Sequence, residues 1–515
     1  MSTHIYFGGF AALAIALATY FIFTGRSSLP SYIPGPPSPS WIAGNAVQIV
    51  NEQEKAGDLE FSWFKRYGAT IKIKGTFGTD ILMTSDAKAL QYILLTSAYR
   101  FYKAPELCIA LDAMGGPGIS TVNGADHARQ RKVVNMSFSE TQLLYQSIKT
   151  SGNVVNMDLW FGRAALDALG KAAFSYDFNA LTDPENSEMG HILHHFHDST
   201  PSTSRRLRVG LWALEKIPPL RNLLAYFPGE VHKRFRHFQD ACMKFSLPLI
   251  DEAKKMVDDS TKDMLSVIVG ANQSENPNRR MSDEELICQA PHILTAGQGS
   301  TTSTLAWTFY YLSHDPETQE ALRQEINEVI KRVGPEEPFS VHDYDGMALL
   351  NAVVKEALRL HPILAAIPRQ AEFDEIIPLS EPIITENGEK IYQIPVKKGQ
   401  HIQCAAHGYN RNPVIWGPDA QEWNPKRWLN KPDMQYSVGV YGNTLSFGGG
   451  VRNCIGWRFA VMEMQCLTTE MVKKFRYEPS VDTKKVLPWP GFITTPRMKG
   501  RFHEGPQMPL IVTPI

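Results

Sequence analysis

The residues best able to do chemistry lie near the C-terminus, in Phe447-Gly448-Gly449-Gly450-Val451-Arg452-Asn453-Cys454-Ile455-Gly456. Directly after Cys454 an apolar periodic run begins (Trp457, Phe459, Ala460, Met462, Met464), the pattern of a helix with one buried face. A cysteine at a helix mouth meets the positive end of the macrodipole and unpaired amides, and both lower a thiol pKa. Cys454 is therefore expected as a thiolate ligand. The glycines before it permit positive φ and close approach of backbone to a flat ligand. Two other readings compete. One is a buried structural cysteine beside a glycine turn; the other is a dinucleotide loop, for which the GxGxxG spacing is absent.

Further motifs precede this stretch. In Glu356-Ala357-Leu358-Arg359 an acid and a base stand i,i+3 on a predicted helix that Ala352, Val353, Ala357 and Leu358 make apolar, so the charges need buried partners. Pro425-Lys426-Arg427-Trp428 lies between this helix and the cysteine stretch, and Ala296-Gly297-Gln298-Gly299-Ser300-Thr301 precedes both. Phe447, Gly450, Arg452, Cys454 and Gly456 match FxxGxRxCxG in full, Glu356 and Arg359 match ExxR, and 425–428 resembles a PERF-type segment. With these motifs in order, the chain resembles the cytochrome P450 superfamily over nearly its whole length.

That resemblance implies haem b as cofactor, with Cys454 as the axial thiolate and Phe447, Gly450 and Arg452 in the loop that holds it. It implies that His127, Arg131, Arg369 and Arg452 meet the propionates; His127 stands where many members have tryptophan. Arg427 is implied as third member of a structural network with Glu356 and Arg359. Ser300 and Thr301 are implied as hydroxyls relaying protons to the oxygen side. Gly299 departs from the pattern, because that position usually holds an acid; a glycine relays nothing but leaves room for water.

The implied activity is hydroxylation or other oxidation of a lipophilic small molecule, using O2 and electrons from NADPH. The short remainder after Cys454 has no room for a flavin domain, so a separate NADPH–cytochrome P450 reductase is implied, with cytochrome b5 as a further donor. The basic stretch 126–132, with Arg458, is a candidate docking surface for an acidic donor. Pro362–Pro368, Ile293-Leu294 and Pro490–Thr494 are expected to line the substrate pocket. Resemblance to fungal specialised-metabolism members implies a terpenoid or similar product. Gly299 keeps a rearranging or peroxide-dependent enzyme open, and a non-catalytic haem- or lipid-binding protein is the third class.

The elements that must position these residues are mostly helical, with a minor β part. Thr70–Lys74 and Asp80–Thr84 alternate like strands, and short strands return between Ile391 and Ala405. Asp158–Phe178 carries a helical period. A helix is expected to open at Ser282, whose spacing to Glu285 fits a capping box, and to run to about Ser313 through Pro291.

Ile5–Gly25 is an uncharged apolar run, and about 20 helical residues cross a bilayer core. We expect residues 1–26 to be a membrane anchor, 27–40 a Pro-rich hinge and 41–515 one haem-thiolate catalytic domain. Arg26 after the run favours a cytosolic body by the positive-inside rule, and so a single-pass protein of the endoplasmic reticulum. Across 515 residues the formal net charge is −1, which gives no bulk field for nucleic acid. The six cysteines spell neither a disulfide framework nor a CxxC cage. His191/His195, at i,i+4, has no HExxH glutamate, and His401, Cys404 and His407 alternate faces along a strand-like stretch, so neither group is expected to bind metal.

Overall fold

The computed structural model describes residues 29–137, 154–198, 205–217, 219–220, 230–255, 263–272, 280–335, 337–430 and 434–515. The apolar run Ile5–Gly25 lies outside them. Among the described residues no helix is long and apolar enough to cross a membrane.

The anticipated class holds: among the described residues most of the regular structure is helical, with four small sheets. The largest sheet has the spatial order Thr70–Lys74, Asp80–Thr84, His401–Ala405, Ala366–Ala371, Phe101–Lys103. Asp80–Thr84 runs parallel to His401–Ala405, and the other neighbours are antiparallel. The register opposes Lys103 to Arg369. Directly opposed residues point to one face of a sheet, so two cations from distant parts of the sequence are set side by side.

The anticipated long helix is two helices. Asp283–Ile287 opens with the Ser282/Glu285 capping box, stops, and is followed by Gln289–His314. The break follows from Pro291, whose ring would strike the carbonyl four residues earlier, that of Ile287, in a continuous helix. In the first turn of the second helix the missing amide costs nothing. The helix expected over 158–178 is Met157–Phe174 and ends earlier because Ser175 takes a left-handed conformation. Asp167 then accepts from the Ala180 and Leu181 amides in the turn that follows. The strand-like stretch 401–407 is also shorter. It ends at Ala405, and His407 lies on the short helix Ala406–Asn410.

The helix Gln289–His314 is buried along nearly its whole length. Its C-terminal half (Leu305, Trp307, Phe309, Leu312) packs with Leu350, Val353 and Leu358 of the Ala348–Leu360 helix and with Met464 and Met471 of the Trp457–Lys474 helix. Its first turns pack with Leu166 and Leu169. One part is not covered. Up to Phe309, only Thr295, Ala296, Gly297 and Ser300 escape full burial, and Ala296 is exposed. Ala296 and Ser300 are i,i+4 and share a face, so the middle of the helix opens onto free space on that side.

Candidate active site

The cysteine loop is held by its own backbone and by glycines. The Cys454 amide donates to the Phe447 carbonyl at 2.8 Å and the Asn453 amide to that of Gly450 at 3.1 Å. Gly450 has φ 64°, and a Cβ there would collide with the Leu94 carbonyl. Gly449 is extended, and a Cβ on it would collide with the Val438 carbonyl. The close approach made possible by Gly449 and Gly450 is thus to neighbouring backbone, which fixes the loop in place. Arg131 donates to the Asn453 carbonyl at 2.7 Å and also to its side-chain oxygen. The basic helix Gly124–Ser137 is thereby tied to the residue before Cys454.

Cys454 is exposed to water-sized contact, yet its thiol sits deep enough that burial pushes its pKa up. The raised pKa corrects the expectation of a thiol lowered by its helix. The helix begins only at Trp457, so the sulfur receives a single amide, that of Gly456, with Arg131 as the other lowering influence, and burial outweighs them. A coordinated metal ion deprotonates a thiol outright.

The structure gathers Lys103, His127, Arg131, Arg369 and Arg452 close enough for their charges to act on one another. Burial and then the charge of Lys103 and the arginines hold His127 down to about 3. Burial lowers Lys103 to about 7 and Arg452 to about 10, with the neighbouring arginines adding to both shifts. Arg369, fully buried, is lowered by burial. Among the described residues, no carboxylate is among the groups acting on any of them. Nε and Nη2 of Arg452 and Nδ1 of His127 are buried without a hydrogen-bond partner. Such a cluster requires anions, and the two carboxylates of haem suit it. Lys103 was missing from the sequence expectations. Its signal is the register with Arg369, which no local pattern carries.

Glu356 and Arg359 are fully buried and joined by two hydrogen bonds, Nη2 to Oε1 at 2.8 Å and Nε to Oε2 at 2.9 Å. Arg427 Nε reaches Glu356 Oε1 at 3.0 Å, and the Trp428 indole donates to Oε2 at 2.9 Å. The Asn424 amide completes the acid's partners. A fourth charge, missed in the sequence, is Asp419, whose Oδ2 takes Arg427 Nη2 at 2.7 Å. Two acids thus face two guanidinium groups.

The Gln289–His314 helix brings Ser300, and not Thr301, to its open face. Successive helical residues are about 100° apart, and Thr301 is turned into the protein beside the Glu463 carboxyl. Burial raises that carboxyl to about 8 despite the hydroxyl. Ser300 Oγ donates to the Ala296 carbonyl at 2.6 Å. Ile293 and Leu294, expected to line a pocket, are buried among Leu166 and Phe238 instead. Leu364 and Phe492 are exposed apolar side chains, and the Thr494 amide binds the Ile363 carbonyl at 2.8 Å, so those two segments do come together.

The basic stretch is largely committed: Arg129 pairs with Glu285 at 2.6 Å and Asp126 at 3.2 Å. His191 and His195 share the helix Glu188–Asp198, but the His195 side chain is outside the described set. His401 stands between Glu106 at 3.4 Å and Glu215 at 3.5 Å, in the one grouping with metal-ligand proximity among the described residues. Although burial opposes it, the two acids raise the imidazole to about 10. Lys216 adds a second cation on Glu215 at 2.7 Å, so the group neutralises itself.

A sequence profile described as Cytochrome P450 matches residues 34–500. The chain belongs to the cytochrome P450 family. It is 31% identical to Cytochrome P450 monooxygenase 205 of Postia placenta, over 98% of this chain and 97% of that protein. It is 30% identical to Ganoderic acid synthetase CYP5150L8 of Ganoderma lucidum, over 90% and 92%. Cytochrome P450 monooxygenase claO of Ampulloclitocybe clavipes is 28% identical, over 95% and 94%. This P450 is accordingly an oxidoreductase of the monooxygenase type, and the family's cofactor is haem with an axial cysteine on iron.

Proposed function

We propose that Cys454 is the axial ligand of haem in a monooxygenase that oxidises a lipophilic small molecule. The observation that carries this assignment is the cluster of Lys103, Arg131, Arg369 and Arg452 around the neutral His127, with no carboxylate among the described groups acting on it and with Arg131 bound to the residue before Cys454. We assign the propionates to Lys103, Arg452, Arg369 and His127. Arg131 supports the ligand loop through Asn453. Phe447 and Gly450 shape that loop, and Glu356, Arg359 and Arg427 brace it.

When bound, the haem supplies dioxygen activation and C–H oxidation. The chain's own residues do the rest. Cys454 donates thiolate charge, and the loop backbone keeps its sulfur in register. Ser300, on the open face of the long helix, passes protons. Leu364 and Phe492 offer the substrate an apolar surface that excludes water. Terpenoid-like substrates are supported by one relative's name, Ganoderic acid synthetase.

Electrons come from NADPH through a separate reductase, with cytochrome b5 as a second donor. The body, residues 41–515, is held by an anchor in residues 1–26 through the hinge 27–40, with its catalytic part on the cytosolic side of the endoplasmic reticulum. The test is a lipophilic precursor panel given to membranes carrying the chain and a fungal reductase. Oxidised product that needs NADPH and O2 is expected. Product that needs only added peroxide, or a rearrangement without O2, favours the second reading that Gly299 suggests.

A further inference from the structure

Four rings make a chain of contacts beside the long helix: Trp307, His361, Tyr311 and Trp423. Trp307 stands two turns after Ser300 on the same side of the helix, and it is buried. It shares one apolar core with Leu358 and Phe447. The Leu358 carbonyl accepts from Ser446 Oγ at 2.6 Å, one residue before Phe447. The inner end of the chain is thus packed with elements that hold the Cys454 loop. His361 stacks on Trp307, with ring centroids 4.0 Å apart and planes 4° from parallel. Tyr311 Oη and His361 Nε2 share a hydrogen bond of 2.8 Å. The Tyr311 ring stacks in turn on Trp423, at 4.5 Å and 2°. The Trp423 indole donates to Asp315 Oδ2 at 3.1 Å. Tyr311, Trp423 and Asp315 are half-buried, so the contacts lead from the core toward the surface.

Indole and phenol are the most readily oxidised side chains that lack sulfur. An electron vacancy passes between such rings in contact, and it settles where the oxidised ring can shed a proton to a base. Trp307 Nε1 is buried with no hydrogen-bond partner, so proton loss does not trap a vacancy there. Tyr311 and Trp423 each have a base within the reach of proton transfer, His361 and Asp315. Burial and the charge of Arg411 push His361 well below its ordinary value, which leaves the imidazole neutral and able to take the phenol proton. We propose that Trp307, Tyr311 and Trp423 form an electron relay, which carries oxidising equivalents that hydrogen peroxide leaves at the haem site out to the surface, where ascorbate or a soluble thiol quenches them. In each passage Trp307 gives one electron inward and takes one from Tyr311, whose phenol proton moves to His361. Tyr311 then takes an electron from Trp423 and recovers its proton, while the indole proton of Trp423 goes to Asp315. The reductant supplies one electron and releases one proton to water, Asp315 returns its proton to the indole, and the chain is as it began. What the relay spares is the Cys454 sulfur, because a thiolate is the form of cysteine that oxidants attack. The inference rests on the monooxygenase reading above.

The test mixes the full chain with haem and hydrogen peroxide, without substrate, freezes it rapidly and reads ring radicals by electron paramagnetic resonance. Ring-deuterated tyrosine or tryptophan narrows the signal and so names the kind of ring that holds it. Peptide mass spectrometry then maps covalent oxidation, and absorbance follows haem loss with and without ascorbate. In the parent chain we expect a tyrosine or tryptophan radical, oxidation centred on Trp423, and haem that ascorbate protects. Tyr311→Phe is expected to lose the Trp423 signal, to move oxidation inward to Trp307 and Cys454, and to lose the protection by ascorbate. Trp423→Phe is expected to stop the vacancy one ring earlier, with a longer-lived tyrosine radical and oxidation centred on Tyr311. Tyr310→Phe, packed on the same Trp307 ring at 5.3 Å but off the path, is expected to match the parent. Each variant is read on the fraction that keeps the thiolate-type carbonyl spectrum, so a merely structural role for either ring leaves the radical and the oxidation map unmoved. An unmoved map and signal in Tyr311→Phe or Trp423→Phe overturn the relay. Equal losses in Tyr310→Phe, or a parent chain with a normal carbonyl spectrum and no ring radical, overturn it as well. Absence of the thiolate-type carbonyl spectrum in the unaltered chain sinks the monooxygenase reading instead.

Discussion

A single atom fixes the ligand assignment. Cys454→Ala is expected to abolish the thiolate-type carbonyl difference spectrum while leaving the fold intact, and a spectrum unchanged from the parent would refute the assignment. Glu356 tests the bracing network. Its carboxylate accepts from Arg359, Arg427, Trp428 and the Asn424 amide. Glu356→Gln leaves two buried guanidinium groups undercompensated, which costs about 3–5 kcal/mol. Less haem-loaded protein and a lower denaturation midpoint are expected; a midpoint equal to the parent would count against the network. At this scale the sequence was readable where chemistry is local, as in Cys454 with its loop and Glu356 with Arg359. Lys103 and Asp419 escaped because their partners are set by sheet register and by a loop crossing. Thr301 was misplaced because adjacent positions on a helix face different surroundings.

At the scale of elements, periodicity located the helices and Pro291 decided where one became two. The capping box at Ser282 was legible, but its second use was not. Glu285 also accepts from Arg129, joining the helix Gly124–Ser137 to the start of Asp283–Ile287. The Arg129 hydrogen bond, foremost, holds the Glu285 carboxyl down to about 2. A carboxyl depressed in the folded state stabilises above its ordinary value of ~4.3 and loses that contribution as pH falls through the folded one. The stability gap between the parent and Glu285→Gln is therefore expected to be larger at about pH 6 than at about pH 2. Urea midpoints at the two pH values check this, and equal gaps would show that the pairing does not reach stability. A cavity beside Gly299 belongs to this scale too. Three helices, the turn at 180–187 and the 493–506 stretch line it, so nothing short of their packing reveals it.

At the scale of the whole molecule, the family pattern carried the class, with its helix-dominated body and small sheets. The apolar run Ile5–Gly25 remains a reading of composition. Deleting residues 1–28 is expected to shift the protein from the membrane pellet toward the supernatant, measured by centrifugation after expression with and without the segment. Retention of the truncated chain in the pellet would place the attachment on the body itself. The order of the central sheet, which brings Phe101–Lys103 beside Ala366–Ala371 and both near the cysteine loop, was not legible. Pairing over such separations depends on which strands meet, and strand pattern alone is silent on that.

The four-charge box of Glu356, Asp419, Arg359 and Arg427 has a further consequence. Its formal sum is zero, and Glu356 and Arg359 at its centre are fully buried, where dissolved ions barely reach. Concentrated sodium chloride should therefore strip away any electron donor clinging by surface attraction yet leave the prosthetic group seated, so washing at high ionic strength would silence turnover without bleaching the protein.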